Sequence, residues 1–128
     1  MEVKVPGIEN TEQILREVLD EWRAGIATHD PRRVAAKFTE DAIFQGLHPH
    51  SVGRQGVIDY YESQPAGLTV AYSFHETRRP ADDVALGYLR ADFTRHDGTV
   101  IPLNLSVLVT GGEAGWRIAF YQVSPAQG

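Results

Sequence analysis

The sequence predicts an α+β domain: a cone-shaped, curved antiparallel sheet with three N-terminal helices enclosing a pocket. Three observations carry this. Apolar residues recur at helical spacing before Pro65 and at strand-like spacing after it. The late strand patterns are joined by the short turn-rich runs PADD, HDGT and GGEAG, which suit hairpins. The chain has 128 residues and no cysteine, so a single domain must be held by its core and not by disulfides. Helices gathered early and hairpin-linked strands late pack as helices on one face of one sheet. Such a curved sheet leaves a cavity suited to a small molecule.

The elements follow in order. Residues 1–10 are expected to form an N-terminal arm, and 11–125 a single domain. Asn10 with Gln13 three residues on makes a capping-box start. Ile14, Leu15, Val18, Leu19, Trp22 and Ile26 then form one face of an amphipathic helix over about 11–28. In the run His29-Asp30-Pro31, Asp30 is a cap and Pro31 suits a first turn. A second helix, Pro31 to Phe38, carries Val34, Ala35 and Phe38 inward. Ala42 to Gln45 is a short strand. Gly53 and Gly56 flank the start of a third helix, with Val57, Ile58 and Tyr61 as its apolar face and Pro65 beyond its end. Strands are expected over 68–78, 84–95, 100–110 and 116–124.

Composition narrows the function classes. The net charge is −5 and the isoelectric point near 5.4. That argues against nucleic acid or an anionic membrane as partner, since both want a basic face. No apolar run nears the ~20 residues of a membrane span, and the first ten residues lack the apolar stretch of a secretory signal. A cytoplasmic protein is expected. No phosphate loop, Ser–His–Asp pattern or dinucleotide fingerprint is present, so no cofactor is expected.

The run FQGLHPHSVGRQG, Phe44 to Gly56, holds His48 and His50 two residues apart. In extended chain they point the same way, but a zinc site wants a third ligand and a supporting shell. No metal is expected. The two histidines, with Phe44, Gln45 and Tyr60, are read as the rim of the pocket, where a neutral imidazole can bond a ligand. His75, in SFHET, is a candidate acid or base. Gln122 is the odd polar residue on the Trp116, Ile118, Phe120 face of the last strand; the opposite face would offer Ala119, Tyr121 and Val123 instead.

The order of elements, with EWRAGIATHDP, FTEDAIF, VGRQGV and GWRIAFYQVS, resembles the nuclear transport factor 2-like (SnoaL-like) superfamily over roughly Glu12 to Ser124, including the small SgcJ/EcaC-like proteins. Members include isomerases, dehydratases, epoxide hydrolases, cyclases and non-catalytic modules, so the resemblance implies fold more than activity. Against ketosteroid isomerase, Trp22 stands at the helix-one tyrosine, Gly46 at the general base and Leu105 near the second acid. Against limonene epoxide hydrolase, Arg90, Asp92 and Asn104 keep the family's spacing, while Ile118, Phe44 and Gly46 stand where the water-holding groups belong. The isomerase alignment turns Leu89, Ala91 and Phe93 inward; the hydrolase alignment turns Arg90 and Asp92 inward, and its gapless match through Ser106 favours that facing. The resemblance then implies Asp92 as acid, Arg90 orienting it and His75, His48 or His50 as base, with Trp22, Asn104, Ile118, Phe120 and Gln122 lining a pocket for a small apolar organic ligand. The expected function is cofactor-independent acid–base chemistry. The alternative is a non-catalytic ligand-binding or accessory module. A homodimer through the outer sheet face is expected in either case.

Overall fold

A computed structural model describes residues 10–112 and 115–126. The expected arm therefore lies outside the described residues, save Asn10. The order is α1 (Thr11–Ala27), α2 (Pro31–Ala35), β1 (Phe38–Gln45), β2 (Ser51–Val52), α3 (Arg54–Ser63), β3 (Thr69–Ala81), β4 (Val84–Thr94), β5 (Val100–Gly112) and β6 (Gly115–Pro125). One six-stranded sheet runs β2-β1-β6-β5-β4-β3. It is curved and unclosed, with the helices on its inner face, as the α+β reading expects. Among the described residues, no helix is long and apolar enough to cross a membrane.

The caps work as their residue types require. Asn10 accepts from the backbone N–H of Glu12 (2.9 Å) and Gln13 (3.4 Å), and Asp30 accepts from Arg33 N–H at 3.2 Å. Between them His29 takes φ +51°, which reverses the chain from α1 into α2. Gly53, with φ +96°, turns the chain into α3.

The second helix is shorter than expected, because tertiary hydrogen bonds capture its end. Ile118 N–H donates to Lys37 O at 2.8 Å, Arg117 Nε to Ala36 O at 3.1 Å, and Arg54 Nε to Phe38 O at 2.8 Å. Phe38 thus opens β1, which pairs parallel with β6. This one parallel ladder joins the first strand to the last in an otherwise antiparallel sheet, and no local pattern announces it.

The core sits between the sheet's inner face and α1 and α3. Strand β4 shows how the facing is decided. Ala85, Gly87, Leu89, Ala91 and Phe93 point inward and are buried. The small residues among them let α1 approach: a Cβ at Gly87 would stand 3.3 Å from Leu15 Cδ1. The expectation that Arg90 and Asp92 face the cavity does not hold. They lie on the outer face, because the helix-packed face of β4 offers no partner for a charge.

Candidate functional site

Aromatic side chains fill the cone. Trp22 from α1, Phe38 and Phe44 from β1, Tyr61 from α3 and Tyr121 from β6 are all buried. Phe44 stacks on Tyr121 with centroids 4.6 Å apart, Trp22 meets Phe93 edge-on at 6.0 Å, and Phe38 meets Phe44 edge-on at 5.7 Å. No charged side chain is buried among the described residues.

The polar atoms inside form one chain. Trp22 Nε1–H donates to Tyr61 Oη at 3.2 Å, and Tyr61 Oη lies 3.4 Å from Tyr121 Oη. Burial pushes both phenols well above their ordinary pKa, so they keep their protons beyond the pH at which an exposed tyrosine ionises. At the mouth, Leu47 N–H donates to Tyr60 Oη at 3.2 Å. Burial raises this phenol too, partly offset by that bond.

Among the aromatic rings a small pocket remains open at the mouth; a larger hollow of about 280 Å³, between residues 64–68 and the turn at 95–97, lies beside it. Tyr60, Tyr61 and Tyr121 line the small pocket with Gln64, and Leu47, Leu68, Phe93, Ile101, Leu103 and Val123 make the apolar wall. Its cavity is about 20 Å³, room for about one water. The roomy enclosed pocket expected from the fold is therefore occupied by the protein's own rings.

The residues proposed from sequence are dispersed. Trp22, Phe44 and Ile118 are in the cone but sealed in the core. Tyr60 lines the mouth. His48 packs edge-on against Tyr60 with centroids 5.6 Å apart, and His50 is exposed. His48 and His50 gain no third ligand: among the described residues no group of His, Cys, Asp or Glu could hold a metal. Arg90 Nε donates to Asp92 Oδ1 at 2.7 Å on the outer face, where the two side chains remain 28 % and 39 % exposed. Asn104 stands opposite Arg90 on that same face. His75 is at a bulge: Phe74 pairs with Leu89 and Glu76 with Tyr88, leaving His75 as the extra residue, its ring 5.5 Å from Tyr88. No hydrogen bond or ion pair joins any of these histidines to Asp92. Asp92 and a histidine therefore do not assemble into an acid–base pair in the cone.

In the last strand the face turned toward the cone changes part-way along. A register shift falls between the pairs Leu108–Phe120 and Val109–Ile118. It leaves Ala119 over, and the facing inverts there. Ile118 points inward as expected. Beyond the bulge Tyr121 and Val123 point inward, while Phe120 and Gln122 turn out. Gln45 pairs with Gln122 and lies outside with it. Strict alternation makes the Ile118 face and the Tyr121–Val123 face exclusive alternatives; the bulge lets the strand turn the first inward before it and the second inward after it.

The outer face has its own order. Ladder partners place Leu86, Leu108, Phe120, Ile43 and Val52 in one row across five strands. Ile43 is 44 % and Val52 64 % exposed. The next row is Tyr88, Ser106, Gln122 and Gln45; the one after is Ser73, Arg90, Asn104 and Ser124. These three rows grade from apolar to polar; on the other side of the apolar row stand Val84, Thr110 and Arg117, and Arg78, opposite Leu86, continues the apolar row on β3.

No protein-family model and no curated protein sequence matches the chain. Solved structures do. A ketosteroid isomerase-like protein from Erwinia carotovora atroseptica superimposes with TM-score 0.74 at 21 % identity, over 91 % of this chain and 96 % of that one. A domain of unknown function with a cystatin-like fold from Nostoc punctiforme gives 0.81 at 16 %, over 98 % and 81 %. A candidate calcium/calmodulin-dependent protein kinase II association domain from Xanthomonas campestris gives 0.77 at 16 %, over 97 % and 93 %. The chain shares their fold, a cystatin-like, nuclear transport factor 2-like fold. At these identities the likeness shows the fold alone.

Proposed function

We propose that this chain is a non-catalytic accessory module that pairs with a second copy through the outer face of its sheet. The observation that carries the reading is the use made of the two faces. The inner face is spent on an aromatic core, with Phe44 stacked on Tyr121 and Trp22 bonded to Tyr61. The outer face presents the apolar row from Leu86 to Val52 to solvent. Exposed apolar residues in a contiguous row mark an interaction surface. Six strands at ~4.8 Å spacing and about ten residues at ~3.3 Å give this face roughly 800 Å², the share of one partner in a standard interface. One neighbour in fold is an association domain by name, which agrees with a self-associating use of the fold.

Acid–base chemistry works best with a positioned group whose pKa lies near the working pH, and burial moves the phenols inside the cone away from it. Asp92 and Arg90 bond each other on the outer face, where they suit the polar end of an interface. Sedimentation equilibrium tests the proposal. The 14.2 kDa chain should sediment as a dimer. Leu108→Lys and Phe120→Lys, which put a charge in the middle of the row, should each give a folded monomer. A wild-type monomer at 100 µM, or dimers that survive both substitutions, would overturn the outer-face reading.

A further inference from the structure

The hollow beside the mouth lies outside the aromatic core. Its walls are the loop after α3, residues 64–68, and the turn between β4 and β5, residues 95–97, and its volume of about 280 Å³ approaches the low end for small-molecule pockets. Gln64 and Leu68 are shared with the mouth, but Tyr60, Tyr61 and Tyr121 do not line it. Both walls are fixed. Gly67, at φ +93°, brings the loop so close to the turn that a Cβ there would stand 2.6 Å from His96 Cβ. Pro65 fixes its own φ two residues earlier. Across the turn, Arg95 N–H donates to Thr99 O at 2.8 Å, Gly98 N–H to Arg95 O at 2.9 Å and Thr99 N–H to Asp97 Oδ1 at 2.9 Å. The Asp97 carboxylate is thus engaged by its own turn, and the bond from Thr99 holds its pKa below the ordinary value. The Arg95 guanidinium, the His96 imidazole and the Gln64 side-chain amide make no hydrogen bond or ion pair among the described residues.

We propose that this hollow binds a small organic monocarboxylate, with the Arg95 guanidinium as its counter-ion. The planar fork of an arginine matches the two oxygens of a carboxylate. His96 and Gln64 offer further N–H donors, and Pro65, Ala66 and Leu68 give the apolar body of the ligand a surface to lie on. Asp97 sets the charge that is accepted. Its carboxylate lines the same hollow, so a second negative charge on the ligand is repelled and a monoanion is preferred to a dianion. The site uses none of the outer-face rows, so it and the dimer stand or fall separately. Solvent is the competing occupant.

The test compares phenylacetate, its neutral isostere phenylacetamide and the dianion phenylmalonate. Binding is followed by proton–nitrogen correlation spectra, with the Gly67 and Gly98 amides as reporters and the Trp116 indole as control. Phenylacetate should bind about tenfold more tightly than phenylacetamide, the low end for a hydrogen bond to a charged group because the site is open to solvent, and phenylmalonate more weakly than phenylacetate. Arg95→Gln, at an exposed position, should remove the preference for acid over amide and leave phenylacetamide binding unchanged. Asp97→Asn keeps an acceptor for Thr99 N–H, so the turn survives, and phenylmalonate should then approach phenylacetate in affinity. Equal binding of acid and amide to the wild type overturns the proposal, as does a preference that survives Arg95→Gln. Discrimination against the dianion that is unchanged in Asp97→Asn overturns the part given to Asp97. Shifts confined to Leu47 and Tyr60 would put the probe in the mouth instead, and reporters that no probe moves would leave solvent as the occupant; either result refutes the site.

Discussion

Gly46→Ala should dislodge Tyr60. A Cβ at position 46 would stand 2.5 Å from Tyr60 Cζ and 2.6 Å from its Cε2 and Oη, well inside van der Waals contact. The ring must swing away. It then loses the bond from Leu47 N–H at 3.2 Å and its edge contacts with Phe44 at 5.0 Å and Tyr61 at 5.1 Å. About 1 kcal/mol for the bond and about 0.5–1.5 kcal/mol for each of the two ring pairs give roughly 2–4 kcal/mol. Alanine's smaller unfolded-state freedom returns about 0.4–1 kcal/mol, so the net loss is about 2 kcal/mol. Urea unfolding of the wild type, Gly46→Ala, Tyr60→Ala and the double variant closes a cycle. In the Tyr60→Ala background, Gly46→Ala should be neutral or slightly stabilising. An equal cost in both backgrounds would refute the idea that Tyr60 is what requires glycine here. The same collision accounts for the missing base: a carboxylate at 46, as the isomerase resemblance would need, has no room beside this ring.

The remaining predictions concern charge, protons and caps. Burial holds Tyr61 and Tyr121 above the ordinary 10.0, and burial with the 2.6 Å bond to Asp20 does so for Tyr72. A folded pKa above the unfolded one gives stability that is complete below about pH 10 and is lost as pH rises toward the folded values. Thermal unfolding should therefore give a Tm that falls above pH 10, with tyrosinate absorbance from these residues rising together with unfolding; free titration of all three in the folded state would contradict this. Asp92→Asn should change stability by no more than about 1 kcal/mol, since the pair with Arg90 is partly solvated; a loss above 2 kcal/mol in chemical unfolding would show it to be structural. Asn10→Ala should cost about 1 kcal/mol by the same measurement, because two backbone N–H groups lose their acceptor.

Much of the fold was legible because it rests on short-range rules. Asn10 and Asp30 cap the helices that follow them, and Ile14 to Ile26 form the buried stripe that their spacing implies. The four late strands lie close to the expected bounds. The candidate site was legible only in part. Trp22 and Tyr61 belong to the interior as their positions suggest, and Tyr60 touches the rim. Asp92, Arg90, Asn104, His75 and Gln122 were placed by spacing within strands whose facing was unknown, and all of them lie outside the cone.

Local pattern thus specified the elements, their caps and which residues are bulky and apolar, because capping and periodicity act over a few residues of one chain segment. Facing was a different matter. Side chains alternate strictly, so one extra residue at His75 or Ala119 inverts everything beyond it. Whether such a residue is accommodated depends on the strand opposite and on the helix above, as Gly87 against Leu15 shows. The parallel pairing of β1 with β6 and the closing of the cone by Phe44, Tyr121 and Trp22 are likewise agreements between segments far apart in the chain. They exist only once the sheet has curved and the helices have docked, and they are what turned an expected open pocket into a packed aromatic core with a narrow mouth.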